Sequence, residues 1–368
     1  MTSLTAVDDL VYQREDAFEL SGRELADLQR DLLRESVEHH LEACHSYRRY
    51  AESNGWSDAL LAADDLVDRI PLLPATVFKR RDVISGPRER VVKVCTSSGT
   101  QGGRSRVHRD STTMERFLGS IDRGADLLLA NRAVERRLFV LGPDTDEAAD
   151  LWFSYVLSIV DLLYPTDFFV RDDVLRLDEF AAAISAERPE RPLVIGPPVL
   201  VRDAALRLRE LGIRPGFGDR GGLVVTAGGW KKFDSQALPR DEFTDVVRDA
   251  FGLADRAQVR DCYNAVELNT VLFECEHGAK HVPAWVHASA RDPVTQRPLE
   301  PGQVGPLAFC DALPTSYPGF VLTDDLGTVS AEGACPCGRA SRVLSISRRV
   351  ESVEARGCAL KMDRAVSR

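Results

Sequence analysis

The stretch "VCTSSGTQGGRSRVHRD", residues 94–110, opens on an apolar lead-in, passes through hydroxyls and glycines, and closes on arginines. Thr96, Ser97, Ser98 and Thr100 offer hydroxyl donors, and Gly99, Gly102 and Gly103 let backbone amides come close to an anion. Arg104, Arg106 and Arg109 would neutralise phosphate charge, bidentately where geometry permits. No G-K-[ST] follows the glycines, so this is not a Walker-type loop, nor is it the G-x-G-x-x-G of a dinucleotide fold. From these residues alone, a triphosphate cradle and a solvated Gly/Ser loop both remain open.

Downstream of the loop, apolar runs alternate with helical patterns. "RRLFVLGP", "RPLVIGPP" and "GGLVVTAGG" read as buried strands ending in glycine or proline. "DEFAAAISAE", "VRDAALRLRELG" and "RDEFTDVVRDAFG" read as the helices between them. This alternation predicts an α/β fold with a largely parallel sheet, whose ligands sit at the carboxyl ends of the strands. Upstream, residues 21–55 read as one long helical stretch, with Ser21 and Glu24 as a capping box and Gly55 as its stop. From "HVPAWVHASARD" to "GFVLTDDLGTVS" the chain is rich in turns and predicts a smaller β-rich subdomain.

The 368 residues are 44% hydrophobic and 28% charged, a globular composition with room for a sizeable core. A net charge of −10 argues against nucleic acid or an anionic membrane as partner, since both reward basic surfaces. There is no apolar run of about eighteen residues to span a bilayer. No basic-then-apolar leader opens the chain, so the cytoplasm is the expected compartment.

The cysteines are therefore not expected to form a disulfide framework. "ECEHG" supplies Cys275 and His277, and "CPCG" supplies Cys335 and Cys337. Together they make the four thiolate and imidazole ligands of a closed structural zinc site, with His281 as a substitute ligand. The alternative is a set of unrelated buried cysteines with a surface histidine.

Three segments, in order, carry a resemblance. "SSGTQGGRSR" resembles the phosphate loop of the acyl-adenylate-forming enzymes. "YNAVE", residues 263–267, resembles their Y-G-x-T-E motif, and "LTDDLG", residues 322–327, their T-G-D motif. The resemblance implies ATP and Mg²⁺ as cofactors. It implies Glu267 as the carboxylate toward Mg²⁺, Tyr263 against the adenine and Asp325 on the ribose hydroxyls. Two departures stand out: Ala265 and Val266 remove the family's threonine hydroxyl, and Asp324 replaces a glycine.

"IPLLPATVFK", "TAGGWKKF" and "CPCGR…RGC" bring the chain closer to one branch, and it resembles the acyl-protein synthetases, the LuxE-like subunits of bacterial fatty acid reductase complexes. By that resemblance Gly228, Gly229 and Trp230 line the nucleotide and acyl pocket and Lys231 lies near the reacting carboxylate or phosphate; the alternative is a strand-to-helix turn with solvated lysines, and Phe78 and Lys79 are read as a structural anchor rather than a catalytic pair. The implied fold is an adenylate-forming large N-terminal domain with a helical N-terminal region and a smaller β-rich subdomain, lacking the full mobile C-terminal domain. Residues 1–93 are expected as the helical region, 94–330 as the α/β core and 331–368 as a Cys-containing C-terminal segment.

Cys358 lies between Arg356 and Lys361, cations that favour a thiolate. The resemblance implies that it accepts the acyl group from the adenylate; without the resemblance it is an inert tail cysteine. The expected activity is therefore activation of a carboxylic acid as acyl-AMP and transfer to Cys358, then to a reductase or carrier protein. Direct transfer to coenzyme A or a carrier-protein thiol, with Cys358 idle, is one alternative. A nucleotide-binding scaffold without turnover is another.

Overall fold

The computed structural model describes residues 5–97, 103–129, 136–186 and 190–349. The described parts of residues 1–124, 265–272 and 279–368 form one compact unit, and residues 125–264 with 273–278 form another.

In the first unit the N-terminal helical segments take hydrogen-bond partners from late parts of the chain. The Ala284 N–H donates to the Ala17 carbonyl at 2.8 Å and the Ser341 N–H to the Phe18 carbonyl at 3.0 Å. The Gln29 amide donates to the carbonyls of Ala284 and Val286. The long helical stretch is two helices, Gly22–Ala43 and His45–Ser53, broken at Cys44, whose backbone is extended (φ −121°, ψ 93°). Leu25, Leu32, Leu33, Val37 and Leu41 form the buried stripe of the first, as its spacing requires. Ser21 makes no side-chain cap; the capping box belongs to Thr5 and Asp8, at the start of the helix Ala6–Tyr12.

The β-rich part is an antiparallel sheet in which Val286–Ala290, Gly305–Asp311, Phe320–Val329 and Val343–Arg349 pair in succession, with Lys280–His281 at the edge beside Val343–Arg349. Strand β1 (Leu73–Pro74), from the "IPLLPATVFK" segment, adds to it in parallel, Leu73 opposite Val321 and Pro74 opposite Leu322. That pairing places Lys79 beside the T-D-D segment. Gly327 is required there, since a Cβ would run into the Ser345 carbonyl oxygen of the neighbouring strand. Strands β2 (Val91–Thr96) and β3 (Arg106–Asp110) form an antiparallel hairpin around the glycine-rich loop.

The second unit holds a parallel sheet in the order Thr166–Phe168, Leu138–Val140, Leu193–Gly196, Leu223–Ala227, Val259–Tyr263. Its three central strands are the apolar runs read from the sequence. The helices Leu177–Ala186, Pro198–Glu210 and Arg240–Phe251 bury Phe180, Leu208, Val247 and Phe251 together with Phe139, Val194 and Val224. "GGW" and Tyr263 stand at the carboxyl ends of two neighbouring strands, where open α/β sheets bind ligands.

Candidate active site

In the first unit, the hairpin holds the loop by its stem. Thr96 opposes Arg106, the Ser97 N–H donates to the Ser105 carbonyl, and the Ser105 N–H donates to Ser97 Oγ, both at 3.0 Å. Ser98, Gly99, Thr100 and Gly102 lie outside the described residues. Gly103 has φ +106°, a left-handed conformation suited to glycine, and Arg104 is exposed. Arg106 pairs with Asp82 at 3.1 Å, as does Arg88 at 2.6 Å, and hydrogen bonding to Arg88 helps to hold the Asp82 carboxyl below the usual range.

Arg109, the third arginine of the segment, turns away from solvent. It is fully buried. Its Nη2 donates to the carbonyls of Val266 (2.6 Å) and Leu268 (3.3 Å), and its Nε donates to Asn269 Oδ1 (3.2 Å). The guanidinium also lies 5.4 Å from the centre of the Tyr317 ring. Asn269 is held in turn: its amide donates to the Thr113 carbonyl and its N–H to Asp311 Oδ2. Burial pushes the Asp311 carboxyl up to about 6 and Tyr317 well above its ordinary value. Glu267 sits between the two clamped carbonyls, 7% exposed, in a turn closed by the Leu268 N–H on the Ala265 carbonyl. Val266, which stands where the resemblance expects threonine, is a buried side chain whose backbone does the work.

Asp324 and Asp325 are half-buried on the strand Phe320–Val329. The Asp325 N–H donates to Thr323 Oγ1 at 3.2 Å, and Thr323 donates to the Leu307 carbonyl at 2.9 Å. Lys79 Nζ lies 4.0 Å from Asp324 Oδ2, while Phe78 is fully buried edge-on to Tyr317. The charge at the glycine position of T-G-D thus faces a lysine.

In the second unit, Gly228 (φ +81°) and Gly229 (φ +63°) turn the chain after Ala227. Trp230 packs edge-on to Phe243, and the Arg202 guanidinium lies 5.6 Å from its ring centre. The Lys231 side chain lies outside the described residues. Tyr263 is half-buried, and the neighbouring Asn264 accepts a hydrogen bond from Trp152 Nε1.

The family model for acyl-protein synthetase, LuxE, matches residues 1–367. The chain belongs to the acyl-protein synthetase (LuxE) family. It is 35% identical over 364 residues to the long-chain-fatty-acid–luciferin-component ligase of Aliivibrio fischeri, covering 98% of this chain and 94% of that one. Against the ligase of the same name from Vibrio harveyi it is 36% identical over 363 residues, with the same coverage. Two crystal structures of 2-hydroxyisobutyryl-CoA ligase share its fold. The open conformation with 2-HIB-AMP and CoA aligns with a TM-score of 0.70 at 15% identity over 93% of this chain and 74% of that one. The postadenylation state with R3-HIB-AMP aligns with a TM-score of 0.72 at 16% identity, over 95% and 72%. The fold is that of adenylate-forming ligases. As an acyl-protein synthetase the protein is an ATP-dependent acyl-adenylating ligase, which activates an acid as its acyl-adenylate and passes the acyl group on.

The acyl-protein synthetase also carries a thiol–imidazole cluster. Ligand atoms of Cys275, His281, Cys335 and Cys337 all lie within 4.8 Å of one another. His281, not the expected His277, completes the set; His277 is exposed, its backbone N–H donating to Cys275 Sγ at 3.4 Å. His281 Nε2 is 3.3 Å from Cys337 Sγ, and its Nδ1 is 2.8 Å from Ser341 Oγ. Placing the proton on Nδ1, toward the hydroxyl, leaves Nε2 free to ligate, the usual outer-sphere arrangement of a metal histidine. Burial raises the Cys337 thiol, but hydrogen bonds from the Arg339 backbone and side chain and from Cys335 bring it below its ordinary value. The signal for His281 was the buried edge strand Lys280–His281, which pairs with Leu344 and Val343. No helix among the described residues is long and apolar enough to cross a membrane.

Proposed function

We propose that the protein activates a long-chain fatty acid with ATP and Mg²⁺ and transfers the acyl group to the thiol of Cys358, from which an acyl-reductase partner takes it. The observation that carries this reading is the whole-length relationship to two long-chain-fatty-acid ligases, with the phosphate-loop, Tyr263–Glu267 and Thr323–Asp325 segments in order.

In the first step a carboxylate oxygen of the substrate attacks the α-phosphorus, forming the carboxylic–phosphoric mixed anhydride as the bond from the α-phosphorus to the bridging oxygen breaks and pyrophosphate leaves with the electron pair. Thr96, Ser97, Ser98, Thr100 and the loop amides would bind the phosphates, with Arg104 supplying charge. Asp325 would accept from the ribose hydroxyls, and Tyr263 and the Gly228–Gly229 backbone would bound the nucleotide and acyl pocket. Glu267 is a hard oxygen donor of the kind Mg²⁺ takes, and that ion would supply charge neutralisation for the displacement. In the second step the Cys358 thiolate attacks the acyl carbonyl, AMP leaves with the bonding electrons, and the mixed-anhydride energy is kept in a thioester. Cys358 lies outside the described residues.

The donor chemistry of Cys275, His281, Cys335 and Cys337, soft thiolates and one imidazole, fits a structural Zn²⁺. With four protein ligands the ion would keep no open position and would stabilise the fold rather than act on substrate.

Incubation with ATP, Mg²⁺ and radiolabelled myristate or palmitate tests the transfer. The account expects a hydroxylamine-labile label on the protein, absent in Cys358→Ser while ATP–pyrophosphate exchange persists. A label retained in Cys358→Ser would assign the thioester elsewhere.

A further inference from the structure

Arg104, Arg106 and Arg109 look interchangeable in sequence, yet one of them is withdrawn from solvent altogether. An arginine is charged at every relevant pH, so a buried guanidinium persists only where good acceptors surround it. Arg109 has them: the Val266 carbonyl at 2.6 Å, the Leu268 carbonyl at 3.3 Å, Asn269 Oδ1 at 3.2 Å and the Tyr317 hydroxyl oxygen at 3.3 Å. Two of these are the backbone oxygens on either side of Glu267. The third belongs to a side chain itself tied to the Thr113 carbonyl.

We infer that Arg109 is a positioning residue for adenylation, a clamp that fixes the carboxylate of Glu267 against the phosphate-loop hairpin. The inference rests on the reading of Glu267 as the carboxylate facing ATP and Mg²⁺. Arg109 stands on β3, the strand that returns from the glycine-rich loop, and its paired neighbour is Lys93 on β2. One side chain therefore ties the loop's return strand to the turn that presents Glu267. The Ser316 and Thr315 hydroxyls secure the same strand from the other side, donating to the His108 carbonyl (2.9 Å) and to the Asp110 carboxylate (2.9 Å). The planar fork of arginine reaches two carbonyls and an amide oxygen at once; lysine, a point charge with a single nitrogen, does not span them. A lysine here keeps a donor of similar reach and loses the geometry.

The test uses ATP–pyrophosphate exchange by the full chain with a fatty acid that the wild type accepts. In Arg109→Lys the account expects kcat to fall by about tenfold or more, with the ATP KM at saturating Mg²⁺ within about twofold of wild type, the signature of a lost transition-state contact. It also expects the Mg²⁺ concentration for half-maximal exchange to rise by about fivefold or more. Tyr317→Phe, which removes one hydroxyl and little volume, moves both quantities in the same direction by a smaller factor, and it carries the test should Arg109→Lys melt far below the wild type. A merely structural arginine would lower the melting temperature and leave the Mg²⁺ requirement of the folded fraction alone. That result in both variants, or full activity of Arg109→Lys, would overturn the inference. If the wild type itself exchanges with no acid, it is the adenylation reading that fails, together with this extension of it.

Discussion

The turn after the strand Leu223–Ala227 offers two adjacent glycines that separate backbone strain from steric contact. Gly228 and Gly229 both have positive φ, at +81° and +63°. A Cβ at Gly229 meets nothing within 4 Å, whereas one at Gly228 lies 2.6 Å from Phe153 Cε2, 2.9 Å from Cζ and 3.0 Å from Cδ2. Gly229→Ala should therefore cost only the left-handed backbone, about 1–2 kcal/mol. Gly228→Ala adds displacement of the ring from the sub-van-der-Waals distance, an overpacking cost of about 1–3 kcal/mol, for a total of roughly 2–5 kcal/mol. In urea unfolding followed by far-UV circular dichroism, with a slope of about 2 kcal/mol/M, the midpoint should fall by roughly 1–2.5 M for Gly228→Ala and by about 0.5–1 M for Gly229→Ala. Trimming the ring, as in Phe153→Val, should restore about 1 kcal/mol or more in the Gly228→Ala background relative to its cost in the wild type. Equal losses at the two glycines, or additivity with Phe153→Val, would refute the steric argument.

Purified protein should hold one zinc per chain by elemental analysis. Cys337→Ser and His281→Ala should lose it with loss of stability, while His277→Ala keeps it. His40 is buried between Ser85 Oγ (2.7 Å) and the Pro314 carbonyl (3.1 Å), and burial, aided by His39, pushes it down to about 3. Its folded pKa lies below the unfolded value, so its contribution is complete above pH 6.5 and is lost as pH falls toward 3. His40→Gln, read by urea midpoints, should remove about 1.4 kcal/mol per pH unit from the acid-side slope in that window; an unchanged slope would show that His40 is not the titrating group.

The parallel sheet was legible because its strands are buried on both faces and read as unbroken apolar runs. The helix break at Cys44 was not, since the apolar spacing continues across it and the interruption is a matter of tertiary packing. Loop composition suggested phosphate binding by three arginines alike, and it could not say that Arg109 turns inward while Arg106 meets Asp82. Strand alternation carries that signal, because residues three apart on a strand face opposite ways. The C-x-H spacing drew attention to His277, the nearer histidine; His281 is the ligand candidate because an edge strand, not a knuckle, presents it. Lys79 read as an anchor, and its place beside Asp324 follows only from the parallel pairing of β1 with the T-D-D strand, a contact between segments about 250 residues apart in sequence.

The central claim is adenylation through Glu267, and ATP–pyrophosphate exchange measures it most directly. Wild-type protein and Glu267→Gln would be compared across fatty, aryl and amino acids, with Mg²⁺ present and folding verified. The account predicts exchange dependent on long-chain fatty acids in the wild type and a loss of about a hundredfold or more in Glu267→Gln, the scale of a deleted electrostatic contact to the transition state. Undiminished exchange in Glu267→Gln would contradict it.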